Sequence, residues 1–403
     1  MSNSNSTATV APQGSNALLG KPAKSSSPFD PAKARALRFK ALSTARSWLI
    51  ADAVASSPDA FPGDTHRTVD CRWSRINPNV SVHRTGHQTA IYGGLATCGS
   101  VWACPICCAV IQERRRLEIS QAIDWAYTSG FKPTMVTFTF PHVKADSLAA
   151  LLSLQSHAFK LLRSGKAWQE FKKQYGLTGL IRSLELTHGK NGWHPHTHEL
   201  WFTRPLSESE QVAFEMGIRS RWMKVCQKVG LCQDDEKSIS DFNRHAVDLK
   251  FNCSNSDYLA KLDSSQHWGA DREVAKASTK NGRLSGSHPF DFLQLETERR
   301  ALFLEYVKAM KGKRQLYWSS RLKDRVGVAD LDDKQITDQE TYKAQLLGLL
   351  TKEQWIGVRC SDARAELLTA AESFGWRGVV FLLFSLGIDL THDQRLMLPE
   401  TLL

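Results

Sequence analysis

Apolar and polar positions along the chain fall into two rhythms. Thr134-Met-Val-Thr-Phe-Thr-Phe140 alternates and is rich in β-branched and aromatic residues, which predicts a strand. Two further strands are predicted near 179–187 and 196–203. Around them the spacing turns helical. Gln112 to Trp125 carries Leu117, Ile119 and Ala122 among charges, and Gly130 stops it. Helices are also expected over 147–174, from Leu148, Leu151, Leu152 and Leu154, then over about 207–228, 291–311 and 336–403. The first 30 residues, rich in Ser, Asn, Ala and Pro, have no periodicity and read as a disordered tail. Residues 264–290 are polar and rich in Ser, Gly and Lys, as a loop would be. The acidic stretch Asp330, Asp332 and Asp333 marks a boundary before the last helical part. The pattern predicts an α+β chain in five parts. These are a tail (1–30), a basic and cysteine-rich segment (31–130), a strand-bearing core (131–265), a linker with a helical extension (266–330) and a helical C-terminal region (331–403).

The segment from Arg182 to Phe202 is the most informative. Asn191-Gly192 between two alternating runs is the strongest short-range hairpin signal. With those two residues as the turn, Glu185 stands opposite His198 and Thr187 opposite His196. Facing residues share one side of a sheet, as do residues two apart on a strand. The hairpin therefore gathers Glu185, His196 and His198 on one patch, a three-ligand metal site with open positions. Two imidazoles and a carboxylate suit several divalent ions, so the ligands alone do not choose the metal. The helical His-Glu-x-x-His of zinc peptidases is absent. His194, before Pro195, is placed to support the site from behind.

Charge adds a partner. Lys and Arg number 52 against 41 Asp and Glu, a net charge of +11, which favours nucleic acid first and an anionic membrane second. No run reaches the roughly 18 apolar residues of a membrane span. The longest, Val379 to Leu383 with Phe384 after it, ends at Ser385 and Gly387. The N-terminus lacks an apolar core behind a basic start, so no secretory signal is read there. Nine cysteines, an odd number, then point to free thiols or metal ligands and to a cytoplasmic protein. Cys98-Gly-Ser-Val-Trp-Ala-Cys104-Pro-Ile-Cys107-Cys108 holds a Cys-Pro-x-Cys knuckle of the kind that grips Zn²⁺. Cys98 is the natural third ligand. Of Cys71, Cys108, His83 and His87, Cys71 is taken as the fourth. Arg114, Arg115 and Arg116 follow on the helix leaving the knuckle, as a solvated face or as a hold on duplex DNA.

The His196-Thr197-His198 triplet resembles the His-hydrophobe-His signature of HUH endonucleases, with Thr in the middle place. The run from Glu185 through Gly192-Trp-His-Pro-His-Thr-His198 is similar to plasmid rolling-circle replication initiators (Rep proteins). Val136-Thr-Phe-Thr-Phe-Pro141 resembles their first motif, and the cysteine run and Ser287 to Ser319 also look like theirs. The resemblance covers about residues 70 to 325. It implies the HUH nuclease fold, a central antiparallel sheet of about five strands with flanking helices, preceded by a structural zinc module. It implies a nucleophile too: such enzymes use a helical tyrosine followed three residues later by lysine, here Asp257-Tyr258-Leu-Ala-Lys261. Positions i and i+3 share a helix face. Tyr306 and Tyr317 are the competing tyrosines. Some initiators carry Glu one turn before the tyrosine, where this chain has Ser254.

The implied activity is nicking and joining of DNA through a 5′-phosphotyrosine at a plasmid origin presented single-stranded. Catalysis would use Mn²⁺ or Mg²⁺. With no Gly-x4-Gly-Lys-Ser/Thr motif, a host helicase and a polymerase are the expected partners, and no membrane. A rolling-circle transposase or relaxase would share the chemistry. A zinc-containing DNA-binding regulator would bind without cutting.

Overall fold

Two antiparallel sheets organise the chain. A computed structural model describes residues 30–57, 65–255, 286–294, 299–338, 344–399 and 401. The tail expected over 1–30 lies outside these, apart from Asp30. The chain opens with α1 (Pro31–Ser56), then β1 (Val80–Arg84), β2 (Ala90–Gly93), α2 (Pro105–Thr128) and β3 (Lys132–Phe138). Next come α3 (Leu148–Leu162), α4 (Gly165–Tyr175), β4 (Gly179–Gly189), β5 (Gly192–Thr203), α5 (Glu208–Val229), α6 (Glu236–His245) and β6 (Val247–Lys250). After the undescribed stretch follow α7 (Arg300–Met310), β7 (Leu316–Trp318), α8 (Leu322–Val326) and α9 (Asp333–Asp338). The chain closes with β8 (Gln345–Leu350), α10 (Lys352–Cys360), α11 (Arg364–Ser385) and α12 (His392–Arg395).

The larger sheet has the order β6-β3-β5-β4-β7. Five antiparallel strands agree with expectation, but the fifth, β7, comes from beyond the 131–265 core. One face is filled by α3 and α5, where Phe138, Phe159, Trp201 and Trp222 meet with rings 4.9–6.1 Å apart. The other face takes α2 over only part of its length. There Ile119, Ile123 and Ala126 pack on Met135, Ile181, Leu200 and Phe202. The remainder of that face carries the polar residues described below.

The helix expected over 147–174 is two helices, broken where Gly165 takes a φ of 78°. A left-handed residue cannot continue a right-handed helix. The expected helical C-terminal region contains a strand. β8 pairs with β1, Val80 facing Leu350, in a second sheet of order β2-β1-β8. Its run Gln345-Leu-Leu-Gly-Leu-Leu350 lacks alternation, so the sequence gives no strand rhythm there. α10 and α11 cover this sheet with Trp355, Val358, Leu367 and Leu383. α11 is long and apolar enough to cross a membrane, the one such helix among the described residues. It nonetheless buries Arg364 completely, packs Val379 and Leu383 into this second core and is interrupted at Gly375 (φ 64°). Its other side exposes Phe374, Phe381 and Phe384.

Candidate metal centres and the open sheet face

The β4–β5 hairpin brings Glu185, His196 and His198 together, through a register one turn position away from the expected one. Gly189 pairs with Gly192, so Lys190 and Asn191 form the turn, Glu185 faces His196 and Thr187 faces His194. Asn191 is not among the residues with positive φ, whereas Gly192 has φ 86°. The loop is thus Lys190 and Asn191 followed by a left-handed glycine, not the Asn-Gly turn with both residues left-handed. The slip displaces each partner by two, and the side-chain period is two, so all three groups keep their common face.

The three groups are close enough together to share one cation. The Nε2 atoms of His196 and His198 each lie 3.3 Å from Glu185 Oε2. All three donor atoms fall within 4.8 Å of one another. His198 Nδ1 bonds Thr137 Oγ1 at 2.9 Å, and His196 Nδ1 donates to the His194 carbonyl at 3.3 Å. Both Nε2 atoms are thereby left for the centre, the usual arrangement behind a metal-binding imidazole. Glu185 is 7% exposed and neither of its oxygens has a hydrogen-bond partner. An orphaned buried carboxylate is costly, and a divalent cation among these three donors would relieve it.

Behind the triad, His194 shares a hydrogen bond of 2.8 Å with His142, whose other nitrogen reaches the Asn191 carbonyl at 3.0 Å. Burial, with His196 and His142 adding, lowers the His194 pKa to about 3, so the ring is neutral. His142 escaped the sequence reading because it lies in the loop after β3, away from any histidine pattern.

The four chosen cysteines also meet. Cys71, Cys98, Cys104 and Cys107 are all buried, with Sγ atoms 3.5–3.6 Å apart where they touch. Ligands at about 2.3 Å in a tetrahedron stand about 3.8 Å apart, so the cluster fits one Zn²⁺. Cys104 caps α2, its sulfur accepting from the Cys107 amide, and Pro105 takes the first helical position. The knuckle is thus a helix N-terminus, where partial positive charge favours thiolates. Hydrogen bonds from Cys104, Cys71 and Cys98 hold the Cys107 thiol well below its usual range. Cys108 is outside the cluster, and burial pushes its thiol up. His83 bonds Ser81 instead, at 2.8 Å.

Tyr258 and Lys261 lie outside the described residues. The segment that carries them leaves from Asn255, bonded to Asp124 of α2 at 2.7 Å, just after Cys253 packs with Met135 and Leu200. It returns at Gly286, against the Thr187 side chain, where Ser287 pairs with His188. Tyr306 is 1% exposed and stacked on Trp193, with no access to substrate. Tyr317 pairs with Arg182, one residue out of phase with Glu185, and so belongs to the opposite face.

The three arginines beyond the knuckle are engaged within the protein. Arg115 pairs with Glu118 at 2.8 Å and Asp333 at 3.3 Å, Arg116 with Glu113 at 2.6 Å, and Arg114 with Glu118 at 3.4 Å. The Ser287–Ser319 stretch gives the hairpin its support: Phe290 and Phe292 are fully buried, and Phe292 packs on Trp193.

Comparison with known proteins places the chain in a family. The chain is 26% identical over 364 aligned positions to "Protein rep" of Streptomyces lividans, covering 73% of this chain and 79% of that protein. It is 33% identical over 153 positions to the "Neomycin resistance protein" of Streptomyces cyanogenus, covering 31% of this chain and 35% of that one. No solved structure matches it at a significant level. The profile of the replication protein family matches residues 95–354, which span both candidate clusters except Cys71. More than half of the chain lies within that match, and the protein belongs to the replication protein family.

Proposed function

We propose that this replication protein is a metal-dependent DNA-nicking and joining enzyme that starts rolling-circle replication of a plasmid-like element. The observation that carries the reading is the orphaned Glu185 carboxylate with two imidazole Nε2 atoms at 3.3 Å, on a sheet face that α2 leaves partly open. Bound there, Mn²⁺ or Mg²⁺ would polarise a non-bridging oxygen of the scissile phosphate. Glu185, His196 and His198 would hold and orient that ion. The Cys71, Cys98, Cys104 and Cys107 cluster would keep a structural Zn²⁺ and fix the start of α2.

Tyr258 is the nucleophile in this reading. Its phenolic oxygen bonds to phosphorus while the bond from phosphorus to the 3′ oxygen breaks. The phenol's proton leaves and one is taken up at the departing oxygen, giving a free 3′-OH and a 5′-phosphotyrosine. A phenol of ordinary pKa about 10 is a poor nucleophile, so a neighbouring cation such as Lys261 is needed to favour phenolate. The tyrosyl ester keeps the energy of the broken bond, which permits rejoining without ATP. The free 3′-OH primes synthesis, with unwinding left to a host helicase.

The test is a nicking assay on supercoiled plasmid bearing the element's own origin, with Mn²⁺ or Mg²⁺. Open circles should form with the wild-type chain and fall by about two orders of magnitude or more with Glu185→Gln. A chain that shifts this DNA in a gel but never nicks it would be a binding regulator and would end the proposal.

A further inference from the structure

We propose that Arg46 and Arg359, gathered on the ring of Trp73, form a phosphate-binding site for the backbone of duplex DNA. This rests on the reading of the chain as a protein that acts on DNA, and not on the nicking step. The site is built where α1, the stretch after Cys71 and the C-terminal helices meet. Trp73 lies two residues beyond Cys71, and its carbonyl accepts from Trp355 Nε1 at 2.9 Å and from Arg359 Nη1 at 3.2 Å. The guanidinium carbons of Arg46 (α1), Arg359 (α10) and Arg364 (α11) stand 4.0, 5.0 and 5.1 Å from its ring centroid. An indole face attracts such cations without neutralising them.

The three arginines are not alike. Arg364 is fully buried and spent on the fold: it donates to Ser43 Oγ, to the Arg72 carbonyl at 3.4 Å and to Asp362 at 3.1 Å. Arg46 and Arg359 are half-buried and make no ion pair among the described residues. Each spends one nitrogen on a backbone carbonyl, Arg46 Nε on Val69 at 3.0 Å and Arg359 Nη1 on Trp73. Both Nη atoms of Arg46 and Nη2 of Arg359 have no hydrogen-bond partner and keep a path to solvent. Asp70 attracts Arg46 from beyond ion-pair reach and is itself bonded by Ser74 Oγ at 2.6 Å. Asp362 is engaged by Arg364, so three guanidiniums meet two carboxylates and the cluster stays positive. Burial, with Arg359 repelling it, lowers the Arg46 pKa from its usual value. An anion between the two arginines would relieve that repulsion.

The chemistry of the anion follows from the donors. Guanidinium forks match the paired oxygens of a phosphate. Proteins that hold single strands stack the bases on aromatic rings. Trp73 offers no such platform, because guanidiniums already sit around its ring. The site can therefore contact the backbone and not the bases, which is the contact a duplex presents with its bases turned inward. It would hold the paired DNA beside the origin, while the triad face takes the unpaired strand.

The experiment measures binding of the full chain, with no Mn²⁺ or Mg²⁺ added, to a duplex spanning the element's own origin and to one of its strands, at several salt concentrations. The double variant Arg46→Gln, Arg359→Gln should bind the duplex about 10-fold more weakly. Its slope of log affinity against log salt should fall by about 0.9 or more, one phosphate's share on a duplex. Affinity for the single strand should change by less than about 2-fold, and Arg46→Lys, which keeps the charge, should keep the slope. A second measurement needs no variant: labelling of arginines in the wild-type chain by phenylglyoxal, mapped by mass, should fall at Arg46 and Arg359 when the duplex is added. Unchanged duplex affinity and slope in a folded double variant, an equal loss on the single strand, or labelling of both arginines undiminished by the duplex overturns the site. A chain that shows these effects but never nicks would sink the enzyme reading alone, and a nicking chain without them would sink only this site.

Discussion

Thr197, between His196 and His198, sits in the wrong chemistry for its surroundings. It is 1% exposed on the helix-packed face, beside Phe138, and its hydroxyl has no hydrogen-bond partner. Burying an unpaired hydroxyl costs about 1 kcal/mol or more. Thr197→Val keeps the shape and removes the polar atom, so it should raise stability by about 1 kcal/mol and the unfolding temperature by about 2–4 °C. A lower unfolding temperature would show that the hydroxyl is satisfied. His66 gives a pH effect at the same scale. Its Nδ1 accepts from Thr68 N at 3.2 Å, and burial, with Arg67 and Lys311 adding, lowers its pKa to about 4. At pH 5 the unfolded chain protonates this ring and the folded chain does not, so folding weakens as pH falls from 7 towards 4. The contribution is about 2 kcal/mol at pH 5. Denaturant unfolding at pH 7 and pH 5 should show a smaller difference for His66→Asn, which keeps an acceptor and cannot titrate. An equal difference would acquit His66.

At the scale of elements, the hairpin was legible because its function and its fold use the same period. Alternation put Glu185, His196 and His198 on one face, and a two-place slip could not undo that. The turn itself was misread because Asn-Gly matches the commonest hairpin signal, whereas here only Gly192 needs a left-handed backbone. A Cβ at Gly192 would also stand 3.0 Å from Lys144 Cα. Gly192→Ala should therefore cost about 1–2 kcal/mol in denaturant unfolding, and Lys190→Ala, in the turn proper, within about 0.5 kcal/mol. Equal costs would contradict the turn assignment. The knuckle was legible for a similar reason: Cys-Pro-x-Cys is at once a ligand spacing and a helix start. Purified protein should carry about one zinc per chain by elemental mass spectrometry. Cys104→Ser should lose it and unfold at lower temperature, while Cys108→Ser should keep it. Retention of zinc by Cys104→Ser would remove Cys104 from the ligand set.

At the scale of the whole molecule, the strands that close the sheets were the hidden part. β7 is three residues long and β8 lacks alternation, so neither leaves a local signal, and each finds its partner only through distant packing: Val80 with Leu350, Ser183 with Leu316. β8 and α11 join the C-terminal stretch to the segment before the knuckle through the core of the smaller sheet. The larger sheet presents the carboxylate and imidazoles on one side only, and the flanks of the Tyr258 segment, Asn255 beside α2 and Gly286 beside Thr187, lie on or next to that side. The most direct test is to trap the protein with Mn²⁺ on an oligonucleotide spanning the nick, digest the complex and map the nucleotide-bearing peptide by mass. A single adduct on Tyr258, lost in Tyr258→Phe and Glu185→Gln, is the predicted result. An adduct on another residue, or one formed equally well by Glu185→Gln, would contradict it.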